Sequence, residues 1–191
     1  MPGWAIALII VGVVILLIII IVAGMYNSLV KLNTRVDEAW SDITVQLKRR
    51  ADLIPNLVET VKGYAKHESE AIKQVSEARA KMMGARSVAS TAEADRSMLG
   101  ALSRIMAVSE SYPELKADKN FQQLSSELTD TEDKVQASRR FYNAGVKDLN
   151  TKISIFPYNV LFHSFKKREF YNVDDKEYER IEKAPDVKFD K

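Results

Sequence analysis

From Pro2 to Val30 the chain carries no charged residue, and from Trp4 to Met25 it is almost wholly Ile, Val, Leu, Ala and Gly. Such a run leaves few structural options. About 20 apolar residues in one α-helix cross the hydrocarbon core of a bilayer, where every backbone N–H and C=O must be bonded inside the segment. Trp4 and Tyr26 bracket the run, where amphipathic rings favour the membrane–water interface. The predicted span is therefore residues 4–26, preceded by a short N-terminus, residues 1–3. A cleaved signal peptide would carry a basic n-region, a shorter apolar stretch and a small-x-small cleavage site. No Lys or Arg precedes this run and it is too long, so an uncleaved anchor is expected. Lys31 and Arg35 follow the span, with Lys48, Arg49 and Arg50 further on. Basic residues resist translocation, so the expected topology is a cytoplasmic domain with the N-terminus outside.

The rest of the 191 residues is about one domain in length. The balance of 28 Lys+Arg against 26 Asp+Glu gives no net-charge argument for a nucleic-acid partner. With no cysteine, a disulfide framework, a thiolate metal site and a cysteine nucleophile are all excluded.

Beyond the anchor, Leu29, Leu32, Val36, Trp40, Ile43 and Leu47 recur at gaps of three and four, which places them on one helix face. A helix is expected to leave the membrane directly, forming with the anchor one rod of about 45 residues at 1.5 Å per residue. Pro55 is expected to kink or restart it. Leu57, Val58, Val61, Tyr64, Ile72, Val75 and Ala78 continue the pattern, with breaks between Gly84 and Thr91. A third helix is predicted from Ala92 to Ser111, with Leu99, Leu102, Ile105 and Met106 inward and Tyr112-Pro113 as its stop. The last helix carries a heptad seam of Phe121, Leu124, Leu128, Val135, Tyr142, Leu149, Ile153 and Phe156, with Asp118 as N-cap and Pro157 as stop. The expected fold is all-α: a single N-terminal transmembrane helix followed by an elongated antiparallel four-helix bundle over residues 27–157. An aromatic and basic segment (158–170) and a charged tail (171–191) complete the chain.

No catalytic, cofactor-binding or metal-ligating set emerges. His67-Glu68 begins like HExxH, but Ala71 stands where the second ligand belongs. Glu59, Glu68, Glu132 and Asp133 fall on helices, yet neither His67 nor His163 has a Glu three positions before it, as a di-iron bundle requires. Phosphate-binding loops, dinucleotide glycine signatures and nucleophile elbows are missing from the sequence. The expected protein is not an enzyme.

Three runs are denser in polar and aromatic residues than a plain coiled coil requires: Ala39 to Val58, Tyr112-Pro113-Glu114-Leu115-Lys116, and Thr131 to Asn143. With Tyr26-Asn27, Ala65-x-His67-Glu68, Phe121, Phe156-Pro157 and Ala184-Pro185-x-Val187-x-Phe189, they make the chain resemble the LemA proteins of bacteria over nearly all of its water-soluble part. Thr44 stands where that family commonly has an acidic or amide residue, and Ser164 where it often has glycine. The resemblance implies a bacterial inner-membrane protein built as an anchored helical bundle. It also implies relatives in magnetosome formation and genes beside HtpX-type zinc metalloproteases.

Trp40, Arg49 and Arg50 read either as a lateral docking surface near the membrane or as a core Trp beside inter-helix ion pairs, made by Asp42, Arg49, Arg50 and Asp52, that set register. Arg139, Arg140 and Tyr142 read the same way, with Glu132 and Asp133 as partners. Phe162, Phe165, Lys166, Lys167 and Arg168 form an aromatic stretch ending in bases, suited either to the lipid interface or to capping the bundle end. Since the last helix spans about 58 Å at 1.5 Å per residue, it is long enough to leave the bilayer or return to it. Val187 and Phe189 alternate as a strand would, and could extend a partner's sheet or stay with their own domain. The expected role is a non-enzymatic scaffold or adaptor that self-associates as a homo-oligomer or organises an integral-membrane partner. The alternative is a membrane-shaping protein that contacts membrane lipid.

Overall fold

A computed structural model describes residues 2–172, which form six helices and no strand. Helix α1 covers Gly3–Tyr64, 62 residues without interruption. It continues through Pro55 without the restart that the sequence allows there. Proline lacks the N–H that would bond the carbonyl four residues back, and that carbonyl belongs to Ala51. Arg79 supplies the missing donor, its Nε donating to the Ala51 oxygen at 2.9 Å. Ile54, Leu57 and Val61 are fully buried, so packing holds the helix where proline would end it. Arg79→Ala is therefore expected to cost about 1–3 kcal/mol by leaving a buried carbonyl unsatisfied. In a Pro55→Ala background, where the backbone can bond that carbonyl, most of this cost should vanish. Chemical denaturation of the four variants measures it; equal costs in both backgrounds would refute this account.

The next break lies at residues 65–68, inside what the periodicity reads as one continuous helix. Lys66 to Glu70 are five consecutive polar residues, longer than one turn, so no apolar face continues through them. Helix α2 is Ser69–Gly84, α3 Val88–Ser111, α4 Pro113–Ala117, α5 Lys119–Ser154 and α6 Tyr158–Leu161. Ser87 and Ser90 form a reciprocal capping box at the start of α3, four residues ahead of the predicted start. Tyr112-Pro113 ends α3 as expected, since a residue before proline is disfavoured in the α region.

Asp118 caps α5 as expected, its Oδ1 accepting from the Phe121 N–H at 2.9 Å, while Oδ2 accepts from the Tyr64 hydroxyl at 3.0 Å. The bond from the Phe121 backbone holds the Asp118 carboxyl below its ordinary 3.8, and the Tyr64 hydroxyl also lowers it. A depressed carboxylate stabilises the fold above its unfolded pKa, and the contribution is lost as pH falls through the folded pKa. Asp118→Asn is expected to flatten the loss of stability in that acid window, as read from denaturation midpoints across pH. An unchanged acid slope would refute the assignment.

By its contacts the chain divides into two units, Met1–Asp42 with Ser138–Glu169, and Ile43–Ala137 with Phe170–Lys191. In the first, the part of α1 that is apolar and long enough to cross a membrane exposes Ile6, Leu8 to Val11 and Val13 to Ile21 on all sides. Past Tyr26, α1 pairs with an antiparallel α5. Trp40 faces Tyr142, with ring centroids 5.7 Å apart. Lys152 Nζ donates to Ser28 Oγ at 2.5 Å. Between them the backbones come close at Gly145, where a Cβ would lie 3.3 Å from Val36 Cγ2. Leu29, Val36, Ala39, Tyr142, Val146 and Leu149 fill this core.

The second unit packs α2, α3 and parts of α1 and α5 around Ile43, Leu47, Leu57, Val75, Met98, Ile105, Leu128 and Val135. Leu99 and Met106, predicted inward, are half-buried, and Met98 takes the central place. The α5 seam holds from Phe121 to Leu149 and then fails: Ile153 is half-buried and Phe156 is 79% exposed, because α5 ends at Ser154.

Candidate interaction surfaces

The two adjacent arginines predicted to act together are separated by the helix. Successive residues are about 100° apart around an α-helix of 3.6 residues per turn, so Arg49 and Arg50 cannot share a face. Arg49 lies at the surface, 3.5 Å from Asp130. Arg50 is 1% exposed and sits in the core of the second unit. Its Nη1 donates to Asp95 Oδ1 at 2.6 Å and its Nη2 to Glu132. The remaining Asp95 oxygen accepts from the Tyr171 hydroxyl at 3.1 Å, and Tyr171 is itself 1% exposed. Arg50, a candidate for docking, is therefore an internal tie between α1, α3 and α5. Arg49 and Arg50 thus make the inter-helix pairs expected of them, while Asp42 and Asp52, expected to do the same, are exposed.

Glu132 was an expected partner of Arg139 and Arg140, but it faces Arg50 instead because its position on α5 turns it inward. Arg140 is exposed and Arg139 half-buried. Tyr142 is also internal, its hydroxyl donating to the Glu169 carbonyl at 2.9 Å, and burial raises its pKa above 10.0. Trp40, half-buried against Tyr142, belongs to the same packing. Sequence reasoning missed Asp95 and Tyr171. Asp95 lies on the apolar face of α3 between Ala94 and Met98, where a carboxylate stands out, whereas nothing local marks Tyr171 in a charged segment.

At the other end of α5, the predicted aromatic stretch folds onto the end of the apolar run. Tyr26 meets Phe162 at 6.0 Å and Phe165 edge-on at 5.8 Å, and Tyr158 meets Phe162 at 6.0 Å. Lys152 Nζ lies 5.2 Å from the Tyr158 ring centre. Lys166 and Lys167 are exposed. Arg168 turns back, donating to Asp37 at 2.8 Å and Asn33 at 3.0 Å, while its backbone N–H donates to Asn150. Of the predicted surface, Phe162 and Phe165 thus meet at Tyr26, Lys166 and Lys167 stand exposed, and Arg168 is directed to Asp37 and Asn33. Val187 and Phe189 lie outside the described residues. Among those residues no group of His, Asp or Glu gathers in a way that could hold a metal ion.

The model of the LemA family matches residues 39–189. Protein LemA of Metamycoplasma hominis is 30% identical over 155 residues, covering 78% of this chain and 68% of that protein. Magnetosome protein MamQ 2 of Paramagnetospirillum magneticum is 25% identical over 174 residues, covering 76% and 64%. Magnetosome protein MamQ of Magnetospirillum gryphiswaldense is 24% identical over 175 residues, covering 77% and 64%. The chain therefore spans less than two thirds of the magnetosome relatives' length. With the family's match running over most of its length and the long apolar helix ahead of it, the chain belongs to the LemA family.

Proposed function

We propose that the protein is a non-enzymatic, membrane-anchored scaffold or adaptor that self-associates or organises an integral-membrane partner. Its membrane is the bacterial cytoplasmic membrane, with the water-soluble residues on the cytoplasmic side and the N-terminus outside. The partner favoured by the family resemblance is an HtpX-type zinc metalloprotease. The observation that carries the reading is the continuity of α1, in which the apolar run and the residues that pair with α5 belong to one helix with no loop between them. An anchor built this way holds its water-facing part at a defined height above the bilayer, as an organiser of membrane neighbours requires. The charged groups of the bundle core are matched to one another, which suits a role in shape rather than in chemistry. The names of the relatives, LemA and magnetosome proteins, describe no reaction.

The test is to extract the native full-length protein in mild detergent and determine the mass and composition of what elutes. The expected result is an assembly larger than one chain, either of this protein alone or with a membrane protein. An isolated monomer with no companion would defeat the proposal.

A further inference from the structure

We infer that residues 155–161, the turn between α5 and the end of α6, insert into the interface of the bilayer that α1 spans, giving the protein a second lipid contact. The inference rests on reading α1 as a membrane span. Its first support is register. In the first unit α5 descends antiparallel to α1, with Tyr142 level with Trp40, Gly145 with Val36 and Lys152 with Ser28. Continuing past Lys152 and Ser28 one residue for one residue, Ile155 and Phe156 arrive at the level of Met25 and Gly24, at the end of the apolar run.

The second support is cover on the span itself. Val22 and Met25 are half-buried, whereas Val11 and Val13, higher on the same helix, are 53% and 51% exposed. This cover lies within one turn of Tyr26, against which Phe162 and Phe165 pack.

The third is the turn's surface. Ile155, Phe156, Val160 and Leu161 are all large, apolar and about half or more exposed, with Phe156 at 79%. Four such side chains within seven residues form a patch of the kind that water-facing surfaces avoid and interfaces use. The aromatic contacts of Tyr26 with Phe162 and Phe165 hold the turn beside the anchor, so it is presented ready-formed. Exposed Lys166 and Lys167 follow directly, the arrangement of an interfacial segment with apolar residues in the acyl boundary and bases at anionic headgroups. Continuity with the span identifies the occupant as lipid.

Because the protein has no cysteine, single-cysteine variants take one spin label each. Full-length Phe156→Cys, Val160→Cys, Ile15→Cys and Lys147→Cys, reconstituted in vesicles of phosphatidylcholine and phosphatidylglycerol, are compared for collision with oxygen, which enriches in lipid, and with a water-soluble nickel chelate. The expected result is that positions 156 and 160 follow position 15, favouring oxygen, while position 147 favours nickel. If 156 and 160 follow 147 while 15 favours oxygen, the inference is overturned and the span stands. If 15 itself favours nickel, both fall. Protection of 156 and 160 from both reagents, as under a second copy of this chain, also overturns it. Phe156 is 79% exposed, so its loss removes little packing and the variant should fold.

Discussion

Arg50→Leu is expected to destabilise the bundle by about 3–5 kcal/mol, the usual cost of breaking a buried ion pair from one side. The reason lies in the geometry. Asp95 is fully buried and its Oδ1 faces the guanidinium at 2.6 Å, so removing Arg50 leaves a desolvated carboxylate stripped of that cation. Glu132, partly open to solvent, loses the same partner at lower cost. Replacing all three residues together with leucine should recover much of the loss, because apolar groups of similar size carry no desolvation penalty. Urea unfolding of the full-length protein in detergent, followed by circular dichroism, measures both effects. An Arg50→Leu midpoint equal to that of the unmodified protein would show that the ion pair carries no stability.

Tyr171→Ala is expected to cost about 3–5 kcal/mol, as is usual when a large buried aromatic is deleted. Tyr171→Phe should cost about 1–3 kcal/mol, since the ring stays but Asp95 loses one hydroxyl donor. Arg50 and Tyr171 act on opposite oxygens of one carboxylate, so their effects should not add. The double-mutant cycle reads that coupling from the same unfolding experiment. Additive losses would mean that the two residues stabilise the bundle independently, against the shared-carboxylate geometry.

Much of this architecture is legible locally. The uncharged run from Pro2 to Val30 specifies a helix of membrane-crossing length because no other arrangement satisfies so apolar a backbone in lipid. The seam from Phe121 to Leu149, the Asp118 cap and the Tyr112-Pro113 stop are encoded within a few residues of where they act. Helix α1 is longer than expected for a non-local reason. Pro55 is a helix breaker on its own terms, and its effect is cancelled by Arg79, 28 positions from the carbonyl that Arg79 serves.

By itself, then, the amino-acid order determined the apolar helix, the helical class, the Tyr112-Pro113 stop, the Asp118 cap and the family, since each depends on neighbours within a turn or on motifs in a line. Tertiary structure decided which charges are structural. Arg50 acts inside and Arg49 outside because Arg50 finds Asp95 at a separation of 45 and Glu132 at 82. Tyr171 enters the core because Asp95, 76 positions earlier, accepts its hydroxyl. No local period reaches that far. A buried charge is tolerated only where partners converge on it, and that convergence exists only once the helices have packed.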